Sequence, residues 1–203
     1  IVLKEMIIES MEQDPPEKLL IWCSFRKTIE KVQTIVQDLG YNADIIYGKI
    51  PQSDEDDPTN NKEKTIEDFK NKDDHNILIA NPASLSESVS LHRECHHAIY
   101  VDRMYNGANW IQSKFRIWRY GLTQQQARDT RIDILYTRQT IDEDVRDNLE
   151  SKEKQLMKML NESNIEVGGL DVNYENFTDT TNENLEMYTR VINRIREYLN
   201  DNV

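Results

Sequence analysis

The chain has 203 residues, 37% hydrophobic and 31% charged, with 25 Lys and Arg against 37 Asp and Glu, and carries a net charge of −12. That length suits one packed domain with an appendage or two small domains, and no apolar run approaches the roughly 18 residues a membrane span needs. So acidic a chain does not draw in polyanions through its overall field, and two cysteines, Cys23 and Cys95, are too few for a disulfide framework.

The N-terminal "IVLKEMIIES" lacks the charged region, long apolar stretch and small-residue cleavage site of a signal peptide. With no initiator Met, it reads as part of a longer, cytoplasmic polypeptide whose two thiols are reduced and buried. Asp14-Pro15-Pro16 marks a turn, and "KLLIWCS" from Lys18 to Ser24 is an apolar run of strand length. From Arg26 to Leu39 the period changes: Ile29, Val32, Ile35, Val36 and Leu39 predict one helical face, which Gly40 stops. "ADIIYG" is a second strand, and "PQSDEDDPTNN" is a surface loop whose acidic run 52–57 is a solvated insertion. The helix "NKEKTIEDFKN" puts Ile66 and Phe69 inward. "NILIAN", "HAIYVD" and "RIDILYT" are three more strands. A short helix is expected over 108–118 and a longer one from about Thr140 to Leu160, with Val145, Leu149, Leu156 and Leu160 on one face. Beyond it lie a polar linker and an amphipathic helix over about 183–199, which packs on its own domain or engages another part of the full chain.

Strands alternating with helices predict an α/β domain with a mostly parallel sheet covered on both faces, and near-continuous apolar strands agree. In such sheets ligands meet the carboxyl ends of the strands. Those ends here are Ser24-Phe25-Arg26, Gly48-Lys49, Asn81-Pro82-Ala83-Ser84, Asp102-Arg103 and Thr137-Arg138.

The charge is unevenly placed. Residues 1–102 and 139–203 are acidic, whereas 103–138 hold seven Lys and Arg against two acids. Within that cationic span "QSKFRIWRYG" carries Lys114, Arg116 and Arg119 beside Trp110 and Trp118. There is no phosphate loop of the Gly-x-x-x-x-Gly-Lys-Ser/Thr type and no Asp-Glu-x-His metal motif. His92, Cys95, His96 and His97 are close in sequence. Adjacent strand residues point to opposite faces, so a strand start is the better reading than a metal site.

The succession "LLIWCSF", "YGK", "KTIEDFK", "NILIANPASLSESVSL", "AIYVDRMYN" and "WIQSKFRIWRYG" resembles the second, RecA-like lobe of superfamily-two helicases and translocases, nearest to the Swi/Snf-like branch of prokaryotic type. The resemblance covers about residues 1–160, with 161–203 a linker and helix outside it. Its most specific part is Gln112-x-x-x-Arg116-x-x-Arg119-x-Gly121, similar to the family's arginine-finger helix, with Leu122 where the family has Gln. "AIYVDRMYN" is similar to an Asp-x-x-Trp-Asn segment, with Tyr105 for Trp. "NPASLSESVSL" aligns with a Gly-Gly-Glu-Gly loop, Glu87 matching while Leu85, Ser86 and Ser88 replace the glycines. Those replacements bear on backbone geometry, because glycine alone enters φ > 0 freely.

The resemblance implies a RecA-like three-layer αβα fold and a motor in which ATP and Mg²⁺, held mainly by a first lobe, are completed by this one. Arg116 and Arg119 are the implied catalytic residues, neutralising charge on the γ-phosphate. Three apart on a helix, they share a face, and their planar forks suit phosphate oxygens. Glu87 and Gln112 join them as nucleotide-binding residues. Lys114 lies off that face and reads as a solvated charge, and the two tryptophans read as braces for the helix. Ser24, Arg26 and Ser84 are the expected nucleic-acid contacts, Ser24 by resemblance through its hydroxyl and backbone and the other two by their place at strand ends, made to phosphates and so with little base specificity. The implied partners are the first lobe of the same polypeptide and DNA, duplex in preference to single strand, with no membrane. No metal ligand is expected in this lobe, no nucleotide is bound tightly by it alone, and alone it is inactive. The alternative reading is a non-catalytic RecA-like module kept for nucleic-acid or protein binding.

Overall fold

The computed structural model describes residues 1–51, 61–85, 89–118 and 129–162. Three apolar runs become the centre of the sheet: β1 (Leu19–Trp22), β3 (Ile77–Ala80) and β4 (His97–Tyr100) are buried along their whole length, flanked by β2 (Asp44–Ile46) and β5 (Arg131–Ile134). The order is β2-β3-β1-β4-β5 and every pairing is parallel. Each strand is shorter than its apolar run, though backbone hydrogen bonds from Cys23, Asn81, Val101 and Leu135 carry the pairing one residue further.

Side-chain alternation divides the core into two layers. Leu20, Trp22, Leu78, Ala80, Ala98 and Tyr100 point to the face covered by α3 (Lys62–Asn71), α4 (Gly107–Lys114) and α5 (Ile141–Glu162). Leu19, Ile21, Cys23, Ile77, Ile79 and Ile99 point to the other, covered by α1 (Val2–Met11) and α2 (Arg26–Asp38). The result is the expected RecA-like three-layer αβα arrangement. Helix α2 follows the sequence pattern, burying Ile29, Val32 and Val36; Gly40 just past its end has φ +86, where a side chain would be strained. Asn61 and Asn106 cap α3 and α4 by accepting from the Lys64 and Asn109 amides.

Three features depart from the sequence reading. Helix α1, for which no element was expected, buries Met6, Ile7 and Met11 against the α2 layer. Second, α4 ends at Lys114 instead of continuing to 118, so residues 115–118 form a turn. Third, α5 continues past residue 160 to Glu162. The acidic run 52–57, the polar linker and the helix expected over 183–199 lie outside the described residues. No helix among the described residues is long and apolar enough to cross a membrane.

Candidate functional site

The strand order creates one crevice. From β1 the chain leaves toward the β2 edge, and from β4 toward the β5 edge, so the carboxyl ends of these neighbouring strands form the topological switch point of the sheet. A cleft opens there, lined by Ser24, Asn81, Asp102, Arg103, Met104 and Trp110 among others. Its floor is aromatic. Tyr100 stacks 6.1 Å from Trp22 and lies 4.6 Å from Trp110 at a tilt. The Tyr100 hydroxyl is 2.7 Å from Ser113 Oγ, and burial raises its pKa.

Ser24 is the first residue beyond β1. Its amide donates to Asp102 Oδ1, and its carbonyl accepts from Asn81 Nδ2 at 2.7 Å. The backbone donor that the resemblance implied for a phosphate is therefore already used internally. Among the described residues the Ser24 hydroxyl makes only a long contact, 3.4 Å, to the Asp102 carbonyl. Burial raises the pKa of Asp102 against the opposing pull of the Thr28 hydroxyl and the Ser24 and Phe25 amides. Its second oxygen, Oδ2, is closed off from solvent, and the nearby Thr28 hydroxyl makes no well-formed hydrogen bond to it.

Arg26 opens α2 and extends into solvent, 54% exposed, with Nε 2.9 Å from Glu30 and its guanidinium over the Tyr47 ring. Such an exposed pair is weak and yields readily to a competing anion. Ser84 lies in the turn after β3, where its amide donates to Asn81 O at 2.9 Å and its hydroxyl faces Gly48. The structure thus places Ser24, Arg26 and Ser84 beyond the carboxyl ends of β1 and β3, Ser24 and Ser84 in the loops and Arg26 at the start of α2. Arg103 joins them. It lies over the Trp110 ring at 5.3 Å, and burial lowers its pKa.

The nucleotide candidates are placed differently. Gln112 is half-buried in α4. Arg116 stands in the turn after that helix, not on it, so the helical spacing argument does not describe it. It is 9% exposed; its Nη1 donates to the Val89 carbonyl at 2.9 Å, and its own carbonyl accepts from the Leu91 amide at 2.8 Å. Arg116 thus fastens the segment leading into β4 to the end of α4. Arg119 and Glu87 lie outside the described residues. Among the described residues no group of three or more His, Cys, Asp or Glu could hold a metal ion.

Two expectations about the cationic stretch meet different outcomes. Trp110 does brace its helix: it is buried, and its Nε1 donates to Glu153 at 3.0 Å. Lys114 is not a solvated charge. Its Nζ lies 2.5 Å from Glu153 and over the Trp110 ring, with the side chain 20% exposed. Glu153 comes from α5, a partner no local pattern could reveal. The sequence places Asn81 and Asp102 at strand ends, and Asp102 within the Asp-x-x-Trp-Asn resemblance, but assigns a role to neither; their hydrogen bonds to Ser24 cross 57 and 78 residues of chain.

At the amino end of the sheet Ser10, His97 and Asp133 form a chain of hydrogen bonds. Ser10 Oγ is 2.9 Å from His97 Nδ1, and His97 Nε2 is 2.9 Å from Asp133 Oδ2. The residue types are those of a nucleophile, base and orienting acid. Both Ser10 and His97 are 1% exposed, which leaves no path for a substrate. The cluster is structural, tying α1 to β4 and β5.

Residues 2–121, more than half of the chain, match the helicase conserved C-terminal domain family. The chain belongs to that family. No curated protein matches it. Among solved structures it is similar to the C-terminal part of the Fun30 ATPase domain, at 21% identity and a TM-score of 0.60, covering 73% of this chain and 44% of that one. It is also similar to the Pyrococcus furiosus Hef helicase domain, at 20% identity and a TM-score of 0.51, covering 71% of this chain and 27% of that one. The chain thus spans less than half of either structure, and at these identities the likeness is one of fold.

Proposed function

We propose that this domain is the second motor lobe of an ATP-dependent DNA helicase or translocase of the Swi/Snf-like branch. It supplies arginines to ATP bound mainly on a first lobe, and phosphate contacts to duplex DNA. The observation that carries the reading is that Ser24, Arg26 and Ser84 all lie beyond the carboxyl ends of β1 and β3, with Ser24 lining the switch-point crevice, in a family of helicase domains. Hydroxyls and a weakly paired guanidinium placed there hold a backbone phosphate without reading a base.

The residues present suit one half of a nucleotide site. The chain has arginines for the terminal phosphate but no phosphate loop, and the described residues lack a carboxylate cluster for Mg²⁺. ATP supplies the cleavable phosphoanhydride. This chain supplies Arg119 and Arg116 as positive charge facing the γ-phosphate oxygens, with Gln112 and Glu87 beside the nucleotide. The turn that holds Arg116 against residues 89–91 keeps its guanidinium from swinging freely.

The test is ATP hydrolysis by the full-length chain with and without duplex DNA, in wild type and in Arg119→Ala. The variant is expected to lose roughly 10³-fold or more of the stimulated rate while still binding duplex. Equal hydrolysis by both proteins refutes the finger assignment. Duplex binding without any hydrolysis in wild type favours a non-catalytic binding module.

A further inference from the structure

We propose that Asp102 is a positioning residue for nucleic-acid contact: from the end of β4 its carboxylate sets the β1–α2 turn that presents Ser24 and Arg26 to a phosphate. The inference rests on the lobe reading above and deepens it.

Helix α2 begins without a cap of its own. Its N-cap, Phe25, has no suitable side chain, and its first turn contains no acid, whereas α3 and α4 cap themselves with Asn61 and Asn106. An acceptor from another strand instead holds the chain just ahead of the helix. The Ser24 amide donates to Asp102 Oδ1, and the Phe25 amide and Thr28 hydroxyl also favour the ionised carboxyl. The opposite side of Ser24 is held by Asn81. That residue donates from Nδ2 to the Ser24 carbonyl, accepts the Ala83 amide at Oδ1, and gives its own amide to the Ile46 carbonyl. The Ser24 main chain is therefore clamped between the ends of β3 and β4. What remains for a ligand is the Ser24 hydroxyl, with only its long internal contact, and the exposed guanidinium of Arg26.

The geometry also carries a cost. A carboxylate oxygen buried with no good hydrogen bond destabilises a fold, and Asp102 Oδ2 is in that position. An acid kept there points to a task other than packing. A turn held from two sides delivers side chains to a phosphate without spending binding energy on ordering them.

The experiment is duplex-stimulated ATP hydrolysis by the full-length chain, using a DNA duplex of fixed length, with thermal unfolding measured on the same samples. Asp102→Ala removes one clamp and Asn81→Ala the other. Each is expected to raise the duplex concentration for half-maximal stimulation roughly tenfold while the KM for ATP stays put. Asp102→Asn, which keeps one acceptor, should fall between wild type and Asp102→Ala. The double variant should be little worse than either single one, because both act through Ser24. If Asp102→Ala does not fold, Asn81→Ala decides. An unchanged half-saturating concentration in a folded variant, tighter duplex binding, or a KM for ATP that rises in step overturns the proposal. Wild type that duplex fails to stimulate overturns the lobe reading and this proposal together; stimulated wild type with indifferent variants overturns this proposal alone.

Discussion

The two ends of the sheet use similar residues in opposite ways. At the amino end the polar groups pair with one another around a buried centre: His97 meets Ser10, Glu17 and Asp133, and at the rim Arg131 reaches both Asp133, at 2.6 Å, and Glu9, at 3.4 Å. At the carboxyl end the loops leave side chains outward. Phe25, Met104, Tyr105 and Tyr136 are exposed, Arg26 stands in solvent, and Asp102 keeps an oxygen without a good partner. The difference teaches that residue type does not define a site. A serine, histidine and aspartate in line are a fastening when buried, and a serine beside a carboxylate becomes a candidate site when it faces a crevice.

That contrast breaks most easily at His97. Replacing it by Ala leaves Ser10, Glu17 and Asp133 facing an empty space, and a loss of about 3 kcal/mol is expected in urea unfolding. A loss below about 1 kcal/mol would mean the amino end is no clamp. Next comes the joint that holds α4 against α5. A Cβ on Gly107 would sit 2.9 Å from Lys152 Cδ and 3.2 Å from its Cβ, while Lys152 Nζ donates to the Tyr105 carbonyl at 2.6 Å. Gly107→Ala should cost about 1 kcal/mol, read as a lower midpoint with unchanged denaturant slope.

A smaller effect is a pH dependence at the amino end. The hydrogen bond to His97 holds the Glu17 carboxyl below its ordinary pKa, in opposition to burial. A depressed acid stabilises the fold above its unfolded pKa, and that contribution fades as pH falls through the folded value. Since Glu17 is partly open to solvent, the loss is under about 1 kcal/mol, below pH 4.5 or so. Glu17→Gln should flatten that part of the stability–pH curve. The smallest stability change is expected at the other end. Arg26→Ala should shift unfolding by less than about 0.5 kcal/mol, yet weaken duplex binding and lower the salt slope by about one. An Arg26 variant that loses stability but keeps its salt slope would erase the distinction between the two ends.

Much of the fold was legible because its central strands are buried on both faces. Burial of that kind demands runs such as "LLIW" and "ILIA", and the helices between them carry the 3.6-residue period. Helix α1 was not legible. It has no side-chain cap at Ile1, and its inward residues Met6, Ile7 and Met11 make no clean stripe until the α2 layer is present to receive them. The end of α4 was misjudged for a related reason. Residues 115–118 continue an apolar and cationic pattern, but there the Arg116 carbonyl is taken by Leu91. Lys114 read as solvated because Glu153 is far away in the chain.

What the amino-acid sequence determined by itself is the alternation of strands and helices, the apolar core and the cationic stretch around Arg116, because these follow from local period and composition. Tertiary structure alone decided which polar groups meet. It brought Asp102 to the Ser24 amide, Glu153 to Trp110 and Lys114, and Asp133 to His97, across separations of many residues. Hydrogen bonds act over about 3 Å, and only the pairing of the strands and the packing of helices on them bring such distant residues that close.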